Sequence, residues 1–243
     1  MMDTKKPVQV KVENQVMQIC LNRPEDENRI NREAMQMIEQ ALKRADEDAD
    51  IRVVVLRGDR RNFCSGGRVE AGCSQEEKDR YSEAIRNMQR KLTEIRVPVI
   101  AAVEGDCVAG GNDLLASSDI AIARKGVKFG FPEILHGGFP VMVMINTIDV
   151  IPKKRLLPAF YGGELFGTDE ALAYGLVTAV VEAESFEDEL QRYIDMIVSK
   201  PARQIEMGRR AYYKMCPMSY EERVEYGVDT LDAVLKEQDR YGA

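Results

Sequence analysis

The chain has 243 residues, of which 44% are apolar and 31% are charged. This composition predicts a globular domain with a sizeable core and a soluble, charged surface. The net charge is −7 and no basic block is present, which argues against nucleic acid and anionic membranes as partners. The most apolar stretch, residues 139–151, is too short to span a bilayer.

Cysteine and histidine usage excludes further classes of site. The chain has five cysteines, an odd number, and their spacing contains no metal-binding pair. It starts with charged residues and has no segment typical of a secretory signal, so we expect a reduced, cytoplasmic protein. His136 is the only histidine, which excludes a metal site built from several histidines, and we expect no metal.

The first part of the chain predicts a hairpin, a helix and a buried strand. Residues 8–12 and 16–21 alternate apolar and polar about residues 13–14, a pattern typical of two paired strands. Asn31 is a candidate cap for a helix whose apolar residues recur at helical spacing. Those apolar residues are Met35, Ile38, Leu42 and Ala45. Residues 51–56 form an apolar run with one arginine, which indicates a buried strand.

Helical patterns become more frequent further along the chain. Ser74 and Glu77 form a capping-box pattern ahead of a helix with an apolar stripe, which is typical of core packing. The stripe comprises Tyr81, Ile85, Met88, Leu92 and Ile95. A strand, a glycine turn and a helix recur once more, and from Asp169 onward helical patterns dominate. The helices predicted there are 170–174, 186–198, 202–213 and 220–237.

Two glycine-centred segments, residues 63–67 and 108–113, each follow a predicted strand. Glycine allows the backbone to approach a ligand closely and to adopt dihedral angles that other residues avoid. The amides at the start of a helix are unpaired and favour negative charge. Two such amides directed at one point would form an oxyanion hole, which stabilises an enolate during thioester chemistry.

These segments occur in an ordered series that resembles the crotonase (enoyl-CoA hydratase/isomerase) superfamily. The series also includes residues 100–105, 118–123 and 129–134. The resemblance implies an α/β fold in one domain, residues 1–243. In that domain a crotonase-like spiral of ββα units would occupy residues 1–185, and a helical C-terminal region would occupy residues 186–243. It also implies an acyl-CoA thioester substrate and a homotrimer or a dimer of trimers.

The resemblance assigns roles to two backbone amides and two carboxylates. The amides of Gly67 and Gly110 would hold the thioester oxygen. Asp113 and Glu133 match the positions of two glutamates that, in this family, hold a water molecule and add it across an enoyl double bond. We therefore expect an enoyl-CoA hydratase, with coenzyme A as part of the substrate and no separate cofactor.

Asp113 departs from the family pattern because aspartate is one methylene shorter than the usual glutamate. Glu133 alone would resemble the pattern of the family's Δ3,Δ2-enoyl-CoA isomerases, which use a single carboxylate at that position. Isomerisation is therefore an alternative, and so is a non-catalytic crotonase-like protein that binds acyl-CoA.

Four further residues are candidates for substrate binding. Arg29 matches the family region that borders the adenine, where it could contact a phosphate. Arg68 stands where an acidic residue is usual, and it could meet an anionic group of the substrate or pair with a neighbour. His136 could tune a nearby carboxylate or have a structural role. Phe139 begins a segment whose bulky side chains would reshape the acyl pocket.

Overall fold

The computed structural model describes residues 6–69 and 72–241, with side chains as far as residue 236. Within these ranges the strands are β1 (Val8–Glu13), β2 (Val16–Leu21), β3 (Val53–Arg57), β4 (Asn62–Cys64), β5 (Val99–Val103), β6 (Asp106–Val108), β7 (Ile120–Arg124), β8 (Phe129–Gly130), β9 (Leu165–Phe166) and β10 (Ala179–Val181). The helices are α1 (Arg32–Glu47), α2 (Gln75–Glu94), α3 (Gly111–Ala116), α4 (Met144–Val150), α5 (Lys153–Gly162), α6 (Thr168–Tyr174), α7 (Phe186–Val198), α8 (Ala202–Met215) and α9 (Tyr220–Tyr241).

The strands form two sheets, and the chain passes between them repeatedly. The larger sheet has the order β1-β2-β3-β5-β7-β10, and the smaller has the order β4-β6-β8-β9. The strands from β2 to β10 in the larger sheet are parallel, as are β4, β6 and β8 in the smaller one. Each of β3, β5 and β7 is followed by a short strand of the second sheet. This alternation produces a spiral of ββα units, and the predicted α/β fold is confirmed.

The hairpin predicted at the start of the chain is present, with its turn one residue later than expected. Strands β1 and β2 pair antiparallel from Val8 and Leu21 to Glu13 and Val16. The two turn residues, Asn14 and Gln15, have φ angles of 50° and 68°. Two successive positive φ angles give the tight turn whose twist matches that of paired strands.

Strand β3 is buried on both faces, which explains why its sequence is continuously apolar. Val54 and Leu56 enter a core shared with α1 and α2, whereas Val53 and Val55 enter a second core on the opposite face. Helix α7 covers that second face. Its contribution consists of Phe186, Leu190, Ile194 and Ile197.

The helix starts predicted from capping residues are confirmed. The side chain of Asn31 accepts a hydrogen bond of 2.9 Å from the amide of Ala34 at the start of α1. Ser74 and Glu77 form both bonds of a capping box at the start of α2. Of the predicted apolar stripe, Met88, Leu92 and Ile95 are buried, whereas Tyr81 and Ile85 are partly buried and pack against the core. Within residues 6–69 and 72–241, no helix is long and apolar enough to cross a membrane.

Candidate active site

The two glycine segments lie side by side because they follow neighbouring parallel strands. Strand β4 ends at Cys64 and β6 ends at Val108, and these two strands pair in the smaller sheet. The carboxyl ends of parallel strands lie at the same sheet edge, where α/β folds usually bind ligands. Gly110 immediately precedes α3, so its amide is at the end of that helix that favours negative charge.

The close approach of the two segments explains their glycines. Gly66 has a φ of +96°, and a β-carbon there would lie 2.9 Å from the Ala109 β-carbon. A β-carbon on Gly110 would lie 3.4 Å from the amide nitrogen of Gly67. Ala109 itself has a φ of 50°, a strained value for a residue with a side chain. The absence of these β-carbons therefore allows the backbones at Gly67 and Gly110 to lie close together.

The amides of Gly67 and Gly110 have no hydrogen-bond acceptor among the described residues, whereas the neighbouring amides of Arg68 and Ala109 are engaged. The amides of Arg68 and Ala109 each donate to a backbone carbonyl oxygen at 2.9 Å. Neither the Gly67 amide nor the Gly110 amide donates a hydrogen bond to any residue that the structure describes. The two segments therefore each present an unused donor, the arrangement that an oxyanion hole requires.

One cleft contains all four residues to which the sequence assigns chemistry. It has a volume of about 530 Å³, and Gly67, Gly110, Asp113 and Glu133 line it. Much of the remaining wall is apolar and includes Ile85, Met88, Phe139 and Val141. A mostly apolar cleft with a few polar groups is typical of a small-molecule site.

A larger cavity, of about 660 Å³, lies between α3, α4 and α8. None of the four residues to which the sequence assigns chemistry lines it. Arg209 in its lining lies 2.8 Å from Asp119, and the hydroxyl of Tyr213 donates to Asp119 at 2.9 Å. We place the site in the smaller cleft because that cleft contains the free amides.

Asp113 is almost fully buried, with 5% of its surface exposed, and both of its carboxylate oxygens are hydrogen-bonded. The side-chain amide of Asn146 donates to Oδ1 at 2.7 Å, and that of Gln89 donates to Oδ2. Burial disfavours the charged form and raises the pKa of Asp113 to about 7, although the two amide donors act in the opposite direction.

Glu133 differs from Asp113 in having an unpartnered carboxylate oxygen. It follows Pro132 in a short 3₁₀ helix, Pro132–His136. Its Oε2 atom is buried and has no hydrogen-bond partner among the described residues. Burial raises the pKa of Glu133, while its own backbone amide acts to lower it. A buried, unpaired carboxylate oxygen in a cleft is costly to maintain and is typical of a functional group.

The four candidate substrate-binding residues have different positions. Arg29, His136 and Phe139 line the cleft, whereas Arg68 does not. Arg29 pairs with Glu27 at 3.1 Å. The guanidinium of Arg68 lies 3.8 Å from the carboxylate of Asp26, outside the cleft. Of the two interpretations of Arg68, the geometry therefore favours pairing with a neighbour.

Sequence reasoning missed three polar residues of the site, namely Tyr81, Gln89 and Asn146. Tyr81 and Gln89 lie on α2, whose apolar stripe was interpreted as core packing. Both line the cleft, and a β-carbon on Gly67 would overlap the Tyr81 hydroxyl. Burial raises the pKa of Tyr81 to about 12. The available signal was a tyrosine and a glutamine at the edge of an apolar stripe.

Two cysteines beside the glycine segments are buried. Cys64 and Cys107 are fully buried, and they lie opposite each other on the neighbouring strands β4 and β6 as free cysteines. Burial raises the pKa of the Cys64 thiol to about 12 and that of the Cys107 thiol well above its ordinary value. Such thiols stay protonated at neutral pH and are poor nucleophiles.

Comparison with protein families identifies the fold and the class of activity. The family model described as enoyl-CoA hydratase/isomerase matches residues 11–241. The chain belongs to this family. Among similar proteins of the enoyl-CoA hydratase/isomerase family, the (E)-benzylidenesuccinyl-CoA hydratase of Thauera aromatica is 30% identical over 209 residues, covering 84% of this chain and 81% of its own. A probable enoyl-CoA hydratase of Mycobacterium tuberculosis is 29% identical, covering 86% and 81%.

Solved structures of the enoyl-CoA hydratase/isomerase family have the same fold. The enoyl-CoA hydratase of Mycobacterium smegmatis superposes with a TM-score of 0.90 at 25% identity, covering 94% of this chain and 91% of its own. The enoyl-CoA hydratase of Bacillus anthracis superposes with a TM-score of 0.89 at 24% identity, covering 97% and 93%. The structural matches show the shared fold, and the family model together with the sequence relatives supports a hydratase or isomerase type of activity.

Proposed function

We propose that the protein catalyses the reversible hydration of a 2-enoyl-CoA thioester in the cleft of about 530 Å³. The observation that carries this proposal is that two unused amides and two carboxylates line the same cleft. Coenzyme A enters as part of the substrate, and the reaction needs no separate cofactor.

The amides of Gly67 and Gly110 would stabilise the transition state. As water attacks the β-carbon, negative charge moves to the thioester oxygen and an enolate forms. Two donors already oriented toward that oxygen interact more strongly with the charged transition state than with the neutral substrate. Loss of one such donor typically costs about 10²- to 10³-fold in rate.

Glu133 would be the main acid and base. Its free Oε2 atom takes a proton from the attacking water, and the same carboxyl then returns a proton to the α-carbon of the enolate. The net result is the addition of one water across the double bond. The raised pKa of Glu133 makes both half-steps easier, since it brings the group nearer to neutral pH. Asp113 would orient the water.

The mouth and walls of the cleft supply the remaining contacts with the substrate. Arg29 would contribute positive charge near the phosphates of coenzyme A, although its ion pair with Glu27 reduces that contribution. His136 and Phe139 line the cleft on the side of Glu133, where an acyl chain would lie.

We further infer assembly into a homotrimer or a dimer of trimers, supported by an exposed apolar stripe on α9. Its members recur at intervals of four and three residues, so they share one face of the helix. They are Val224, Val228, Leu231 and Leu235, with exposures of 39–55%. Burial of such a face against another copy would be favourable. Light scattering should give three or six times the chain mass of 27.4 kDa, and a monomer at micromolar concentration would contradict this inference.

Isomerisation of a 3-enoyl-CoA is a second candidate, favoured by the difference between the two carboxylates. Both oxygens of Asp113 are already occupied, which leaves Glu133 with the only buried, unpartnered carboxylate oxygen among the described residues of the cleft. A single carboxyl that moves a proton from C2 to C4 is sufficient for this reaction.

A panel of acyl-CoA substrates distinguishes these functions. The purified protein is incubated with crotonyl-CoA, with longer and branched 2-enoyl-CoAs in both directions, and with 3-enoyl-CoAs. Hydration should be reduced in both Asp113→Asn and Glu133→Gln, whereas isomerisation should survive Asp113→Asn. Glu184→Gln, at an exposed position, is the matched control. No turnover of any substrate, despite measurable binding of acyl-CoA, would contradict both reactions and favour the non-catalytic alternative.

A further inference from the structure

Asp113, Gln89 and Asn146 form a closed hydrogen-bonded ring between three helices. Gln89 lies on α2, Asp113 on α3 and Asn146 on α4. The Asn146 amide nitrogen lies 2.7 Å from Asp113 Oδ1 and 3.0 Å from the Gln89 side-chain oxygen. The Gln89 amide nitrogen donates to Asp113 Oδ2. Each helix therefore contributes one side chain, and the ring fixes the orientation of all three.

The ring also fixes which end of each amide meets the carboxylate. Because the oxygen of Gln89 accepts from Asn146, its nitrogen must be directed toward Asp113. A reversed amide on either residue would place a carbonyl oxygen against a carboxylate oxygen, which is repulsive. Asp113 therefore meets a donor at each oxygen, and such donors favour the ionised form of a carboxyl group.

We propose that Gln89 and Asn146 are positioning residues that hold the Asp113 carboxylate in one orientation and favour its ionised form. This inference rests on the proposed function, in which Asp113 orients a water molecule and Glu133 transfers protons. The two carboxylates then have different tasks because their surroundings differ. Asp113 is held by amides and acts as a fixed acceptor, while Glu133 has a free oxygen with which to exchange protons.

Other ionisable groups near Asp113 are either in the cleft or exposed on the neighbouring helices. The cleft contains Glu27, Arg29, Tyr81, Glu133 and His136. On the helices that carry the ring, the charged residues within four positions of it are Arg86, Arg90 and Asp149, which are exposed, and Lys91, which pairs with Asp46 of α1. Burial is the main influence that raises the pKa of Asp113, and the amides of Gln89 and Asn146 oppose it. Removal of an amide should therefore raise this pKa further.

Titration of the Asp113 carboxyl by carbon-13 NMR, without substrate, tests the proposal directly. Gln89→Met and Asn146→Leu each remove one donor while keeping similar volume. Each should raise the midpoint of Asp113 by about one pH unit, as expected for the loss of a hydrogen bond to a charged group. Gln191→Met is the control, because Gln191 donates to Asp195 at 2.8 Å on an exposed helix face. Unchanged midpoints in both ring variants would overturn the proposal.

A second measurement uses the unmodified protein and does not depend on whether the variants fold. The side-chain amide signals of Gln89 and Asn146 should shift with the same midpoint as the Asp113 carboxyl. Amide signals that do not shift as the Asp113 carboxyl titrates would overturn the proposal. Failure of the proposed function has a different signature, because these NMR results would persist in a protein that turns over no enoyl-CoA.

Kinetics separate positioning from a merely structural role. If the protein hydrates enoyl-CoA, Gln89→Met and Asn146→Leu should lower kcat about tenfold with little change in KM, as expected for a misplaced reacting group. The pH profile of kcat should also move to higher pH. A change in KM alone, with the wild-type pH profile, would contradict a positioning role.

Discussion

The hydroxyl of Tyr81 occupies the space that a β-carbon on Gly67 would need. The next atom of the phenol, Cζ, would lie 3.5 Å from that β-carbon, which is an ordinary contact. The steric requirement for glycine at position 67 is therefore due to a single oxygen atom on α2. Because Gly67 provides one of the two free amides, Tyr81 packs directly against the candidate oxyanion hole.

This relationship predicts that Gly67→Ala and Tyr81→Phe are strongly coupled. Gly67→Ala alone should destabilise the protein by about 1–3 kcal/mol, because the Tyr81 hydroxyl and the new methyl group would overlap. In a Tyr81→Phe background the same change should cost much less, since the clashing oxygen is absent. Urea unfolding of the wild type, both single variants and the double variant gives the coupling free energy. Additive effects would show that the phenol and the glycine do not constrain each other.

Local patterns in the sequence predicted the fold well because their causes are local. The caps at Asn31 and Ser74 depend on a side chain that bonds to an amide three residues away. The glycine segments were recognisable because each follows a strand, and parallel pairing of β4 and β6 brings them together. Their place in an ordered series carried the resemblance to the crotonase superfamily, and that resemblance implied one oxyanion hole.

The surroundings of the carboxylates could not be predicted, because they depend on contacts distant in sequence. Asp113 is 24 residues from Gln89 and 33 residues from Asn146, and no spacing rule connects them. In the sequence Gln89 looks like an ordinary surface residue of a helix. Only the folded structure brings it into contact with Asp113 on α3 and Asn146 on α4. Arg68 was ambiguous for the same reason, since its pairing with Asp26 depends on how two loops meet.

The buried Asp113 predicts a specific dependence of stability on pH. Its pKa is about 7 in the folded protein, against a reference value of 3.8. Between these values the folded state binds the proton more strongly, so the free energy of unfolding should decrease as pH rises from about 4 to 7. A shift of about three units corresponds to about 4 kcal/mol, as an upper limit.

Asp113→Asn isolates this contribution, because other titrating groups, including Glu133, remain in the variant. Urea unfolding at several pH values should show wild-type stability falling relative to Asp113→Asn as pH rises, with the change complete above about pH 7. A constant difference between the two proteins across this range would mean that the pKa of Asp113 is not raised by folding.

The raised pKa of Glu133 predicts how the rate of the proposed reaction depends on pH. Burial raises its pKa, and it must be ionised to accept a proton from water. The value of kcat/KM for hydration should therefore rise with pH, with a midpoint above that of an ordinary glutamate. Glu133→Gln should reduce kcat by about 10²- to 10⁴-fold with little effect on KM. A similar loss in the exposed control Glu184→Gln would indicate a general effect of removing charge.

The contacts of Arg209 link helix α8 to the spiral core, and they predict that this residue contributes strongly to stability. The guanidinium is buried and lies 2.8 Å from Asp119, and it also donates to the carbonyl oxygens of Leu92 and Ile95 at the end of α2. Arg209→Met would leave Asp119 without its cationic partner and remove these bonds. Breaking a buried pair in this way should lower the free energy of unfolding by about 3–5 kcal/mol.

The neighbouring Arg210 is the matched control, because it is exposed on the same helix. Arg210→Met should change stability by less than about 0.5 kcal/mol, as is usual for surface substitutions. If the chain folds as one domain, Arg209→Met should shift a single unfolding transition rather than create a second one. Separate melting of α8 and α9 in that variant would instead show that the C-terminal helices form an independent unit. That outcome would contradict a single domain over residues 1–243.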